Sequence, residues 1–147
     1  MAALQDRLAA ALQAARKAQD KALTLLLGTI LADLRNREIE LKRALADDDV
    51  IDVLRKGVKK RRESVAAYEQ AGRAELAARE AAEVAALERY LPAVASEDEV
   101  RTAVRAAIAA GAGAVGPVMA AVMPQFKGRA DGGVISRVVR EELSRAE

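Results

Sequence analysis

The chain has 147 residues, with no cysteine and no histidine. That removes disulfides, thiolate nucleophiles, imidazole general bases and almost all zinc sites. Its 24 Lys/Arg and 22 Asp/Glu leave a formal charge of +2, too even for a globally basic nucleic-acid binder, so any such surface must be a local patch.

Alanine dominates, and the only aromatics are Tyr68, Tyr90 and Phe126. With many Glu, Lys and Arg and only three prolines, this favours helix, because alanine loses no side-chain entropy there. No strand signal, P-loop, dinucleotide fingerprint or internal repeat competes. The first residues lack a basic-then-apolar leader, and no apolar run approaches ~18 residues. The expectation is a cytoplasmic protein with no membrane segment.

A first helix is predicted over about Ala2 to Ala18, with Leu4, Leu8 and Leu12 as a single stripe. Asp20 offers an N-cap to a second, from about Lys21 to Ala46. Its wide apolar face comprises Leu23, Leu26, Leu27, Ile30, Leu31 and Leu34. Gly28 inside it costs about 1 kcal/mol against alanine unless a neighbouring helix packs closely there. Asp47, Asp48 and Asp49 then suit the N-terminus of a third helix better than a cation, since consecutive carboxylates cannot all face one ion.

That third helix is predicted from about Val50 to Ala71, with a stripe of Leu54, Val58, Val65 and Tyr68 into which Arg61 falls. Gly72 stops it, and a fourth helix follows from about Ala74 to Leu91. An antiparallel hairpin about Gly72 sets Arg61 opposite Glu83 and Ser64 opposite Glu80. A charge inside an apolar stripe needs a partner, so an Arg61–Glu83 ion pair is predicted. Arg55, Lys56, Lys59, Lys60, Arg61 and Arg62 place six cations within eight residues. Arg61 apart, they form either a solvated face or a phosphate-binding ridge. With no aromatics interleaved, such a ridge would read backbone and shape rather than bases.

Leu91-Pro92 ends the fourth helix, and Ser96 with Glu99 makes a capping box for a fifth. The connection around Ala93 to Ala95 is the best domain boundary. Val100, Val104 and Ile108 form the stripe of the fifth helix, ending at Gly111. Gly116-Pro117 opens a sixth, with Val118, Met119, Val122 and Met123 as core, and Pro124 tightens or ends it. Asp131 caps a seventh, from about Gly132 to Arg145, with Val134, Ile135, Val138, Val139 and Leu143 inward. The predicted fold is all-α: a four-helix segment with a hairpin over residues 1–92, then a small three-helix bundle over residues 96–147. No metal, no cofactor and no catalytic residue is assigned. Between the last two helices, Lys127 and Arg129 are two cations presented around Gly128.

Several spaced motifs carry a family resemblance. They are Lys59-Lys60-Arg61-Arg62-Glu63-Ser64, the run from Tyr68 to Leu76, Tyr90-Leu91-Pro92, Gly116 through Met119, and Lys127 through Gly132. In this order they resemble the YqeY family, whose members are related to the tail domain of the B subunit of the tRNA-dependent amidotransferase. The resemblance implies an all-helical, two-part fold whose second part is similar to that tail. It also implies tRNA or an amidotransferase complex as partner. Lys127, Arg129, Lys56, Lys59, Lys60 and Arg62 are then the candidate RNA contacts. Pro117 stands where the family usually carries lysine, which removes a cation from that surface. Family labels extend to carbon–nitrogen ligase activity with glutamine as amido-N-donor. The residues for it, a Cys or His or a Gly-Ser-rich amidase stretch, are absent from the chain. A protein-interaction module without an RNA role, using the charged end of the second helix, is the other reading.

Overall fold

The structure, a computed structural model, describes residues 2–147. The described residues form helices and no strand, and the chain divides into two compact units, one through Leu91 and one from Pro92.

The first unit holds α1 (Ala3–Lys17), α2 (Lys21–Leu41), α3 (Asp47–Gln70) and α4 (Ala74–Glu88). Asp20 caps α2 by accepting from the Leu23 N–H at 3.1 Å. The α2 helix ends at Leu41, short of the predicted Ala46, because Lys42 turns left-handed at φ 55°. The reason lies just beyond. Arg43 donates twice to the Asp49 carboxylate, at 2.8 and 3.1 Å, and the Ala46 N–H donates to it at 2.8 Å. These bonds hold the chain in a reversal that a continuing helix could not make. They also keep the Asp49 carboxyl at about 2, well below its ordinary value, with the Arg43 hydrogen bond the larger cause.

For the same reason α3 begins at Asp47 rather than at Val50. The three aspartates form its first turn, where exposed N–H groups and the helix dipole favour anions. Asp47 also accepts from the Leu4 N–H at 3.0 Å, tying α1 to α3. Gly72, at φ 71°, closes α3, with the Arg73 N–H donating to Tyr68 O at 2.8 Å. The hairpin that follows makes α3 against α4 the most extensive helix contact in the chain. Leu8, Leu27, Ile30, Leu34, Val50, Leu54 and Leu87 are fully buried between the four helices.

The second unit is a bundle of α5 (Glu97–Ala109), α6 (Val115–Val122), a 3₁₀ turn (Met123–Phe126) and α7 (Gly132–Ala146). Ser96 caps α5 through the Glu99 N–H, and Asp131 caps α7 through the Gly133 N–H. Val100, Val104, Val118, Val122, Phe126, Ile135, Val138 and Val139 make its core.

Two residues expected inside are exposed, Met123 and Val134. Pro124 tightens the chain into the 3₁₀ turn, which leaves Met123 outside and sends Phe126 inward instead. On α7 the buried stripe is Ile135, Val138, Val139 and Glu142, so Val134 lies one residue off its centre.

Glu142 is therefore a charge in an apolar stripe, only 6% exposed. It is held by Arg101 Nη1 at 2.7 Å and Arg105 Nε at 3.0 Å, both from α5. Arg101 also reaches Glu141 at 2.7 Å, and Arg137 reaches Glu97 at 2.6 Å, so α5 and α7 are laced along their length. The Arg105 and Arg101 hydrogen bonds hold the Glu142 carboxyl at about 2 against an ordinary 4.5. A carboxyl depressed on folding lends stability above its ordinary value and loses it as pH falls toward the folded one. Glu142→Gln is expected to lower the unfolding midpoint of this unit by about 5 °C or more at neutral pH. Urea titrations should show wild-type stability declining between pH 4.5 and about 2, with a shallower decline in the variant.

Candidate functional site

The six cations of α3 separate by helical period into different environments. Arg61 points into the hairpin, with its side chain 15% exposed, and Nε donates to Glu83 Oε2 at 2.7 Å. Its Nη1 folds back to donate to the Gly57 carbonyl at 3.1 Å. Gly57 makes room for this, because a Cβ there would sit 3.3 Å from Nη1 and 3.4 Å from Ile30 Cδ1. Gly57 is not among the residues that the sequence pattern singles out. Its signal was a helical glycine one turn before a charge in the apolar stripe. Arg62 pairs across the hairpin with Glu88. Arg55 buries Nε and Nη2 without an acceptor among the described residues.

Lys56, Lys59 and Lys60 remain. All three are exposed, and none has an ion-pair partner among the described residues. Lys56 and Lys60 also flank a cleft of about 590 Å³ between α2, α3 and α4, with Gly57 and Arg61 in its wall. Asp33, Asn36 and Arg37 of α2 line the other side, and Ser64 and Glu80 adjoin. Ser64 does not bond Glu80; its Oγ donates to Lys60 O at 3.2 Å. The cleft carries both signs of charge, so what it offers an anion is the lysine edge on α3 rather than a cationic basin.

The Lys127–Arg129 reversal lies in the second unit. Lys127 is exposed, and Gly128 takes the left-handed φ of 74° that the turn requires. Arg129 is a brace. Its Nη2 binds Glu99 at 2.8 Å, its Nε donates to Ala93 O at 3.2 Å, and its guanidinium lies 5.9 Å from the Phe126 ring centre. The Ala95 N–H donates to Arg129 O at 2.9 Å. One residue thus pins the segment leading into α5 against the turn before α7.

A sequence model of the Yqey-like protein family matches residues 5–143. The chain belongs to this family. The matched span runs through both units, so the α3 lysines and the Arg129 brace both lie within it. Comparison with curated proteins gives no match. In this YqeY-family chain, no group of three or more Asp or Glu among the described residues could hold a metal ion, and no helix is long and apolar enough to cross a membrane.

Two glycines separate packing from propensity. Nothing lies within 4 Å of a Cβ built at Gly28, whereas Gly57 is hemmed in by Arg61 and Ile30. Gly28→Ala should stabilise the protein by about 0.5–1 kcal/mol in dilute urea titration, and Gly57→Ala should return none of that gain. Arg129→Ala should lower the thermal midpoint of the second unit by roughly 5 °C.

Proposed function

We propose that this chain is a non-catalytic helical module that binds the phosphate backbone of tRNA, alone or beside a glutamine-dependent tRNA amidotransferase. The observation that carries this reading is the lysine edge of α3: Lys56, Lys59 and Lys60, exposed and without ion-pair partners among the described residues. Solvated lysines release counterions on meeting phosphate without first breaking a protein ion pair. The similarity of the YqeY family to an amidotransferase tail understood as tRNA-contacting gives the polyanion its identity. Arg62 and Arg129 are weaker contacts in this reading, because each would have to leave a carboxylate, Glu88 or Glu99. Recognition is of backbone and shape, since Tyr68 and Tyr90 are half-buried, Phe126 is buried, and no base-stacking platform is presented.

The second reading, a docking module for a protein partner, is favoured by the mixed charge of the α2–α3–α4 cleft. The two separate on salt dependence. Binding of total tRNA, followed by gel shift or anisotropy, should weaken with salt on a log–log slope of about −2 to −3, as expected for some three phosphate contacts. Replacing Lys56, Lys59 and Lys60 together by alanine should cost about tenfold or more in affinity at low salt and flatten that slope, with folding unchanged. Binding that is absent, or indifferent to both salt and these lysines, rules the RNA reading out.

A further inference from the structure

The cleft between α2, α3 and α4 holds more charge than the lysine edge accounts for. Its volume of about 590 Å³ is lined by four cations and four carboxylates, and it lies wholly within the first unit. Two pairs are already made there, Arg37 with Glu40 at 2.9 Å and Arg61 with Glu83 at 2.7 Å. The other four, Lys56 and Lys60 on α3, Asp33 on α2 and Glu80 on α4, have no ion-pair partner among the described residues. What remains unpaired is therefore two charges of each sign, carried by three different helices. An anion alone meets the lysines in the company of two unneutralised carboxylates, and a cation alone meets the reverse. A molecule with one charge of each sign suits both sets of groups.

We propose that this cleft binds a short peptide with free termini, two or three residues long. Its carboxylate lies on Lys56 and Lys60, and its ammonium on the carboxylates of Asp33 and Glu80. The spacing sets the length. Packed helices run about 8–10 Å apart, so charges on different walls are farther apart than the two charges of one amino acid. Each residue of extended chain adds roughly 3.3–3.6 Å, which makes two or three residues the matching span. The cleft volume also falls within the roughly 300–1,000 Å³ of small-ligand sites. Asn36, one turn along α2 from Asp33 and in the same wall, carries an amide whose donor and acceptor complement a peptide group. The inference does not rest on RNA binding, although Lys56 and Lys60 serve both. Lys59 belongs to the exposed α3 edge and not to the cleft, so it tells the two apart.

Trialanine with free termini is the probe, titrated into the intact chain and followed by amide NMR. Binding should saturate with a Kd on the order of 1 mM, with the largest shifts at the amides of Asp33, Asn36, Lys56 and Gly57. N-acetyl-trialanine lacks the ammonium and trialanine amide lacks the carboxylate, so each should bind about tenfold more weakly or worse. Asp33→Asn with Glu80→Gln, and Lys56→Gln with Lys60→Gln, should each cost the free peptide about tenfold. None of these four residues is buried, so both double variants keep the fold. The carboxylate pair should leave tRNA binding undiminished, whereas Lys59→Gln should weaken tRNA binding and leave the peptide untouched. Trialanine that fails to saturate by about 20 mM overturns the inference. So does a blocked peptide that binds as well as the free one, or an equal loss of peptide binding in Lys59→Gln.

Discussion

Each unit is fixed by one charge placed where an apolar residue would ordinarily sit. In the hairpin it is Arg61 of α3, and in the bundle it is Glu142 of α7. A chain this rich in alanine has only three aromatic side chains with which to specify how helices register, and the core of its second unit is mostly valine. Alanine and valine faces slide past one another with small changes in packing energy, since each methyl contributes little shape. A half-buried guanidinium or a buried carboxylate does not slide, because leaving its partner strands a charge away from water. Arg61 meets Glu83, and Glu142 meets Arg101 and Arg105, in one register only. Their main contribution is therefore to which structure forms, more than to how stable it is.

This constraint also decides what the cations of the chain can do. Most guanidinium groups described above are braces: Arg43 on Asp49, Arg61 on Glu83, Arg62 on Glu88, Arg101 and Arg105 on Glu142, and Arg129 on Glu99. Their planar forks suit them to that task. The exposed cations of the α3 ridge that have no ion-pair partner among the described residues are lysines, whose single strongly hydrated charge makes poor scaffolding but a good phosphate contact. On α3, the division between Arg61 and Arg62 as braces and the lysines as surface follows from side-chain chemistry.

Much of this was legible in the sequence. The helix order, the stop at Gly72, the caps at Asp20, Ser96 and Asp131, and the placing of Arg61 opposite Glu83 all follow from period and turn chemistry that are local, or nearly so. What could not be read depends on contacts distant in sequence or on small rotations. The early end of α2 comes from Arg43 and Asp49 closing a loop on themselves. Met123 and Phe126 exchange roles because Pro124 tightens one turn. Glu142 could have been found by the reasoning that found Arg61, since it lies seven residues from Ile135 on the same stripe, but the neighbouring Leu143 drew the apolar assignment. Gly57 was invisible for a different reason. Its role is to lack a side chain, and what would otherwise collide depends on Arg61 and on Ile30, which comes from another helix.

The Lys127–Arg129 reversal marks the limit of reading function from exposed charge. In sequence, two cations around a glycine between two helices look like an anion clamp. In three dimensions Arg129 holds Glu99, the Ala93 carbonyl and the edge of the core at Phe126, so its guanidinium is already engaged. A ligand competing for that guanidinium would have to replace a carboxylate and a carbonyl already in place, a loss that a solvated lysine does not incur. A regular helix fixes its backbone without side-chain help, so α3 can leave Lys56, Lys59 and Lys60 in water at no structural cost. The reversal at Gly128 instead uses Arg129 to tie the segment before α5 to the turn before α7. For that reason a long helix, rather than the loop, is where this protein has unclaimed positive charge to offer.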